Sequence, residues 1–286
     1  MRPENWHLTE DLDDFLARAG DFLRSRPALH TVPLTVTDAL RRRGLYLYGD
    51  EPPLFGTLEA PDGTVRAALL HTPPHAVHVT PLTPQEADAL SARLVELGHP
   101  VLGVAGERDT AMAFTQAWQR RTGTPGAIHQ RQRLYRLAEL TVPDPRPEGR
   151  ARIAGPEDRE LLIRWYGEFK DAVGQRAGDP AEWADARLAY GGVTLWETLD
   201  GTPVSLAGVT PQTAGQVRIA PVYTPAALRG RGYAGAVTAE VSRAARESGV
   251  PEILLFTDLA NPTSNALYRR IGYRDVADFT VWEFGG

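Results

Sequence analysis

The amino-acid sequence predicts an α/β protein of the α+β kind: two tandem units, each a mixed, mainly antiparallel twisted sheet flanked by helices. Three observations carry that prediction. Strand-like apolar runs and amphipathic helical patterns follow one another in nearly the same order twice along the chain. Three prolines at alternate positions in Thr141-Val142-Pro143-Asp144-Pro145-Arg146-Pro147-Glu148-Gly149 separate the two series and favour an extended, non-helical connection. Finally, 286 residues, 42% of them hydrophobic, suffice to bury a core in each half. The expected organisation is residues 1–141 as a first unit, 142–149 as a Pro-rich linker and 150–286 as a second unit.

In the first half, helical periodicity covers residues 8–23 and 37–43, and strand-like runs follow at 45–48, 53–58, 65–70 and 76–79. A helix at 84–97, a strand at 101–105, a helix at 110–121 and a strand around 133–137 complete it. In the second half, Gly155-Pro156-Glu157-Asp158 opens a helix with Leu161, Leu162, Trp165, Tyr166 and Phe169 on one side, and a second helix covers 180–188. Three strands at 193–199, 203–210 and 216–223 read as an antiparallel meander, the first two joined by Asp200-Gly201-Thr202. A long helix at 232–247, a buried strand at 253–257, a short helix at 263–271 and a strand at 276–284 close the chain. The likeness between the halves is one of element order, not of residue-by-residue similarity.

Composition removes several chemistries. Cysteine is absent, so disulfides, thiolate metal sites and a cysteine nucleophile are excluded. A net charge of -5 and a pI near 5.8 give no general attraction to nucleic acid. No run approaches the ~18 apolar residues of a membrane span, and residues 1–10 hold no apolar stretch behind basic residues. The expectation is a cytoplasmic protein with neither nucleic acid nor membrane as partner. His71, His75 and His78 lie close together, but no carboxylate in that stretch completes a metal site, so they read as surface or turn histidines and no metal is expected.

The most informative stretch, Val222-Tyr223-Thr224-Pro225-Ala226-Ala227-Leu228-Arg229-Gly230-Arg231-Gly232-Tyr233-Ala234-Gly235, lies between an apolar strand and a long amphipathic helix. Glycines there let a backbone approach a ligand closely, and the helix start offers unpaired N–H groups and a positive dipole end, a cradle for a diphosphate. Gly230 to Gly235 also matches the dinucleotide fingerprint G-x-G-x-x-G, with Asp258 near a ribose-binding position. Five residues, Pro225 to Arg229, nevertheless intervene between strand and first glycine, and only residues 236–286 remain, too few for the further βα units of such a fold. An ordinary glycine-rich turn is the plainer alternative.

Arg229-x-x-Gly232-x-Ala234 resembles the Arg/Gln-x-x-Gly-x-Gly/Ala motif of the GNAT superfamily, the acyl-CoA-dependent N-acyltransferases. Asn261-Pro262-Thr263-Ser264-Asn265-Ala266-Leu267-Tyr268-Arg269-Arg270-Ile271-Gly272-Tyr273 is similar to that family's Asn-x-x-Ala-x-x-Leu-Tyr-x-x-x-Gly-Phe segment, with Ser264 for Ala and Tyr273 for Phe. The resemblance covers roughly residues 151–284. It implies acetyl-CoA as cosubstrate, with Arg229, Gly230, Arg231, Gly232, Tyr233 and Ala234 around the pyrophosphate and Asn261 and Asn265 helping to hold the cofactor. It further implies that backbone N–H groups of Val222, Tyr223 and Thr224 polarise the thioester carbonyl, and that Tyr268 is the general acid for the departing thiolate. The corresponding turn of the first half, Thr80-Pro81-Leu82-Thr83-Pro84-Gln85-Glu86, has no glycine and puts a carboxylate at the helix start, which implies a degenerate GNAT-like unit without a CoA site.

The implied reaction is N-acetyl transfer to a primary amine of a small molecule or peptide by direct attack. A non-catalytic acyl-CoA-binding sensor or scaffold is the alternative, and a nucleotide-dependent oxidoreductase a distant third. Asp258 and Glu197 are candidates for a general base. A monomer in which the halves form a pseudo-dimer, or a homodimer, is the expected assembly.

Overall fold

The computed structural model describes residues 6–174 and 178–285. The chain's first five residues, included above in the search for a leader, lie outside the described residues.

The elements run β1(Trp6–Thr9), α1(Leu12–Ser25), α2(Thr31–Arg43), β2(Leu54–Glu59), β3(Val65–His71), β4(Val77–Val79), α3(Pro84–Glu96), β5(Gly103–Glu107), α4(Arg108–Thr122) and β6(Gly126–Leu137). The same series then repeats as β7(Arg150–Ile153), α5(Arg159–Val173), α6(Pro180–Leu188), β8(Val193–Glu197), β9(Pro203–Val209), β10(Gln216–Tyr223), α7(Tyr233–Glu247), β11(Glu252–Asp258), α8(Pro262–Arg270) and β12(Tyr273–Phe284). The duplicated mixed α/β architecture is therefore present, element for element.

By contacts the chain forms two compact units: Met1–Leu134 with Asp258–Ala260 and Val276–Gly286, and Tyr135–Thr257 with Asn261–Asp275. The division falls before the proline-rich segment, and the last strand leaves its own series: residues 279–283 pair antiparallel with β5 in unit 1. Such an exchange is set by pairing across many intervening residues and has no local sequence signal. The proline-rich segment is non-helical and tied down within unit 2. Arg146 pairs with Glu240 at 3.1 Å and lies 4.7 Å over the Trp196 ring, and Trp196 Nε1 donates to Glu148 O at 3.3 Å.

In unit 1 the strands run β1-β2-β3-β4-β5, antiparallel except for the parallel pair β4/β5. Alternation along β3 separates two cores: Ala67 and Leu69 face Leu90, Leu94 and Phe114 of α3 and α4, while Ala68 and Leu70 face Phe15, Leu23 and Leu40 of α1 and α2. In unit 2, β11-β10-β9-β8-β7 is likewise antiparallel except for β10/β11. Leu195 packs with Leu162 and Trp165 of α5, and its neighbour Trp196 with Val237 and Val241 of α7.

Several sequence expectations need correction. The helix expected at 8–23 begins at Leu12, because residues 6–9 pair with β2 and Asp11 caps the helix through Asp13 N and Asp14 N at 2.8 and 3.1 Å. The helix expected at 37–43 starts at Thr31, since Pro33 is tolerated in a first turn. Residues 45–48 form a turn, not a strand, and β7 was not anticipated. Among the described residues no helix is long and apolar enough to cross a membrane.

Gly272 provides a direct test of unit 2 packing. Its φ is +105°, and a Cβ there would lie 1.7 Å from Glu139 O, whereas Gly249, at φ +83°, has no atom within 4 Å of its Cβ position. Gly272→Ala should cost on the order of 3 kcal/mol or more and lower Tm by roughly 6–12 °C, against about 1 kcal/mol for Gly249→Ala, as read by calorimetric or circular-dichroism melting.

Candidate functional site

The site is assembled within unit 2, around the end of β10 and the helix starts that follow. The parallel pairing of β10 with β11 covers Gln216, Val217 and Arg218 against Glu252, Ile253 and Leu254; beyond it no ladder register joins the remaining residues of the two strands. On its other side β10 is bulged: Ile219 pairs with Val209 but Val222 with Ala207, so one extra residue enters at Ala220-Pro221. That insertion changes the parity of the strand. Val217 and Ile219 pack on the α7 side, whereas Tyr223, which would otherwise share their face, packs with Trp165 and Leu162 on the α5 side.

There the Tyr223 hydroxyl donates to Glu168 Oε2 at 2.6 Å. Burial, reinforced by the Glu168 carboxylate, pushes the phenol up to about 12. The backbone after it is held by a chain of hydroxyls: Ser205 Oγ donates to Tyr223 O at 2.9 Å and, its proton being so used, accepts from Thr224 Oγ1 at 2.8 Å. Arg229 folds back on the turn, its Nε donating to Thr224 O at 3.0 Å.

The turn then delivers the chain into α7. Gly230 and Gly232 have φ of +78° and +83°, conformations that disfavour any side chain with a Cβ. Gly232 is the N-cap and supplies no side-chain acceptor, and the first intrahelical bond runs from Ala236 N to Gly232 O at 3.1 Å. The N–H groups of Tyr233, Ala234 and Gly235 therefore have no partner inside the helix. Arg231 is exposed and, among the described residues, has no ion-pair partner. Such a helix start is a candidate anion cradle, with one exposed guanidinium beside it.

Unit 1 treats the corresponding helix in the opposite way. Thr83 Oγ1 accepts from Glu86 N at 3.3 Å, and Glu86 Oε2 accepts from Thr83 N at 2.7 Å, a reciprocal capping box. Glu86 is buried and also paired with Arg66. A protein carboxylate thus stands where α7 leaves its N–H groups open.

Tyr268 lies on α8, buried, its ring 6.4 Å from Tyr135 and 6.1 Å from Tyr273. Burial pushes its phenol up to about 12, so it is a neutral O–H donor at any physiological pH. The two asparagines of this segment have structural partners. Asn261 caps α8, accepting from Ser264 N at 3.0 Å, and buried Asn265 accepts from Tyr135 Oη at 2.8 Å and donates to Asn261 O at 2.7 Å.

Glu197, a base candidate from the sequence, is a buried ion-pair member: Arg152 contacts Oε1 and Arg150 lies 3.5 Å from Oε2, while Arg152 also grips Asp158. Both of its carboxylate oxygens are thus engaged by guanidiniums. Asp258 caps a turn, accepting from Ala260 N at 2.8 Å. The carboxylate that the sequence reading missed is Glu168, whose signal was its place one turn after Trp165 on α5. His71 and His78, expected at the surface, are buried on β3 and β4. Among the described residues no group of three or more candidate ligands is placed to hold a metal.

Residues 159–273 match the model of the acetyltransferase (GNAT) family, a stretch that contains both of the motifs described above. Among solved structures, a GCN5-related N-acetyltransferase from Sphaerobacter thermophilus superposes with TM-score 0.65 at 21% identity, covering 99% of this chain and 97% of its own. A GNAT-family acetyltransferase from Colwellia psychrerythraea gives 0.60 at 11% identity over 98% of both chains. A GCN5-related N-acetyltransferase from Kribbella flavida gives 0.55 at 20%, covering 77% of this chain and 87% of its own. At these identities the likeness is one of fold. No curated protein matches.

The buried phenols make a pH prediction. Tyr223 and Tyr268 have folded-state values near 12 against an ordinary 10, so between those limits the folded protein binds more protons than the unfolded chain. Their stabilisation is intact below pH 10 and is lost as pH rises through 12. Absorbance titration of the nine tyrosines should leave these two un-ionised at pH 11, and Tyr223→Phe and Tyr268→Phe should each leave the amplitude at that pH unchanged.

Proposed function

We propose that the GNAT domain transfers an acetyl group from acetyl-CoA to a primary amine of a small molecule or peptide by direct attack. The observation that supports this most is the uncapped, glycine-led N-terminus of α7, reached by the turn that follows a bulged strand whose parallel ladder has ended. Acetyl-CoA fits that cradle chemically: its pyrophosphate matches the free N–H groups of Tyr233, Ala234 and Gly235 and the charge of Arg231, and Gly230 and Gly232 leave room for close approach. When bound it supplies an activated acyl carbon and a thiolate leaving group.

The protein's own groups do the rest. Of the backbone N–H groups of residues 222–224, those not engaged by β9 are the donors available to an acyl carbonyl at the end of β10. Tyr268 offers a neutral O–H to the departing sulfur. A phenol near 12 holds its proton more tightly than a thiol near 8.5, so it acts chiefly by hydrogen bonding as the C–S bond breaks, and does not protonate the sulfur beforehand. Glu168, exposed on α5 and bonded to Tyr223, faces an arriving ammonium with a negative charge and an acceptor for its proton. Asn261 and Asn265 contribute by fixing α8, and through it Tyr268.

Release of free CoA from acetyl-CoA in the presence of an amine panel tests the reading. Tyr268→Phe should lower kcat by about 10- to 100-fold while acetyl-CoA affinity stays within about twofold. Binding without CoA release from the native protein across the panel would favour a non-catalytic acyl-CoA sensor. Glu168→Gln should reduce kcat/KM for the amine roughly tenfold at pH 7, and the deficit should shrink as pH rises and more amine arrives neutral. An unchanged pH profile would remove Glu168 from proton handling.

A further inference from the structure

Unit 1 contains a half-open cavity of about 340 Å³ that acyl transfer in unit 2 does not use. It lies where the end of α1 and the turn into α2 meet the start of β3 and the turn after β4, with Phe22, Val65 and Pro81 as apolar walls and Arg26, Arg66 and His30 as polar ones. By element order it is the first unit's counterpart of the place where α5 meets the end of β10 in the second. Its size is that of a small-molecule site.

Two features of its lining call for a ligand. The first is His30, only 1% exposed. Its Nδ1 contacts Leu23 O at 3.1 Å and its ring lies 4.8 Å from Phe22, while Nε2 is buried with no hydrogen-bond partner. Burial holds the imidazole below its ordinary value, hence neutral; with the proton on Nδ1 for the carbonyl, Nε2 is a lone-pair acceptor. It heads α2 without capping it. A buried acceptor left without a donor is destabilising and demands an explanation.

The second is an imbalance of charge. Arg66 is neutralised by Glu86, whose other oxygen serves the capping box. Arg26 is exposed at the cavity and, among the described residues, has no ion-pair partner. Glu107 lies within electrostatic reach of Arg26 without pairing to it; burial raises that carboxyl above its ordinary value and Arg26 works against the rise. The lining thus carries one cation without an ion-pair partner among the described residues, one orphan acceptor and an aromatic wall.

We propose that this cavity binds a small organic monoanion: a carboxylate, met by Arg26, that carries an N–H or O–H donor for His30 Nε2 and an apolar group for Phe22, Val65 and Pro81. Because Glu86 and Thr83 close the start of α3, the site recognises its ligand without an acyl donor beside it, so the first half is a binding module and not a second catalytic centre. The proposal does not depend on acyl transfer in unit 2.

Calorimetric titration of the full chain with hippurate tests it, since this probe carries one carboxylate, one N–H and one ring. Saturable binding at about 1 mM or tighter is expected, weakened at least tenfold by the methyl ester, which removes the charge, and by N-methylhippurate, which removes the donor. Arg26→Gln, an exposed change, should weaken hippurate at least tenfold and leave acetyl-CoA affinity and melting temperature unchanged. Absence of saturable hippurate binding, or binding indifferent to the ester, to N-methylation and to Arg26→Gln, overturns the proposal.

Discussion

A helix cannot satisfy the N–H groups of its own first turn, and the two halves of this chain meet that constraint in opposite ways. In unit 1, Thr83 and Glu86 cap α3 reciprocally, and a buried carboxylate fills the space an anion would need. In unit 2, Gly232 heads α7 with no side chain, so the N–H groups of Tyr233, Ala234 and Gly235 lack an intrahelical partner and have the helix dipole behind them. The same series of elements therefore yields one closed helix start and one open one. Glycine's tolerance of φ +83° is what permits the second, because a residue with a Cβ would be strained there and an Asp, Ser or Thr would bring its own acceptor.

The bulge at Ala220-Pro221 is the second determinant. A strand with regular alternation would send Tyr223 to the α7 side with Val217 and Ile219; one inserted residue sends it to α5, where its hydroxyl finds Glu168. Ser205 and Thr224 then fix the carbonyl direction, and Arg229 ties the turn. The end of β10 is thereby tied to α5 through Glu168 and to the turn into α7 through Arg229. Arg229, which the sequence assigned to the pyrophosphate, has its Nε committed to this scaffold, leaving Arg231 as the freer charge.

Much of this was legible in the sequence where local chemistry dominates. The limits of β10 and α6 follow from apolar pattern, proline and the Asp179 cap, and the glycine turn from the residues that only a positive φ requires. What was not legible depends on partners distant in the chain. β1 is a strand because it pairs with β2, and residues 45–48 are not one because they pair with nothing regular. The pairing of residues 279–283 with β5 joins segments far apart in sequence. Glu168 is an unremarked acid on a helix until the bulge turns Tyr223 toward it. The histidines differ for the opposite reason: His71 and His78 look polar, yet both are buried, on β3 and β4, and both faces of β3 pack against helices.

In the proposed function the open start of α7 holds the pyrophosphate of acetyl-CoA. Calorimetric titration of acetyl-CoA into the native protein and into Gly232→Asp tests it most directly, because Asp tolerates positive φ better than most residues and places both an acceptor and a negative charge on the cradle. Micromolar binding by the native protein and at least a hundredfold loss in the variant are expected, with the variant's circular-dichroism spectrum unchanged. Absence of binding by the native protein, or equal binding by a folded Gly232→Asp, would contradict it.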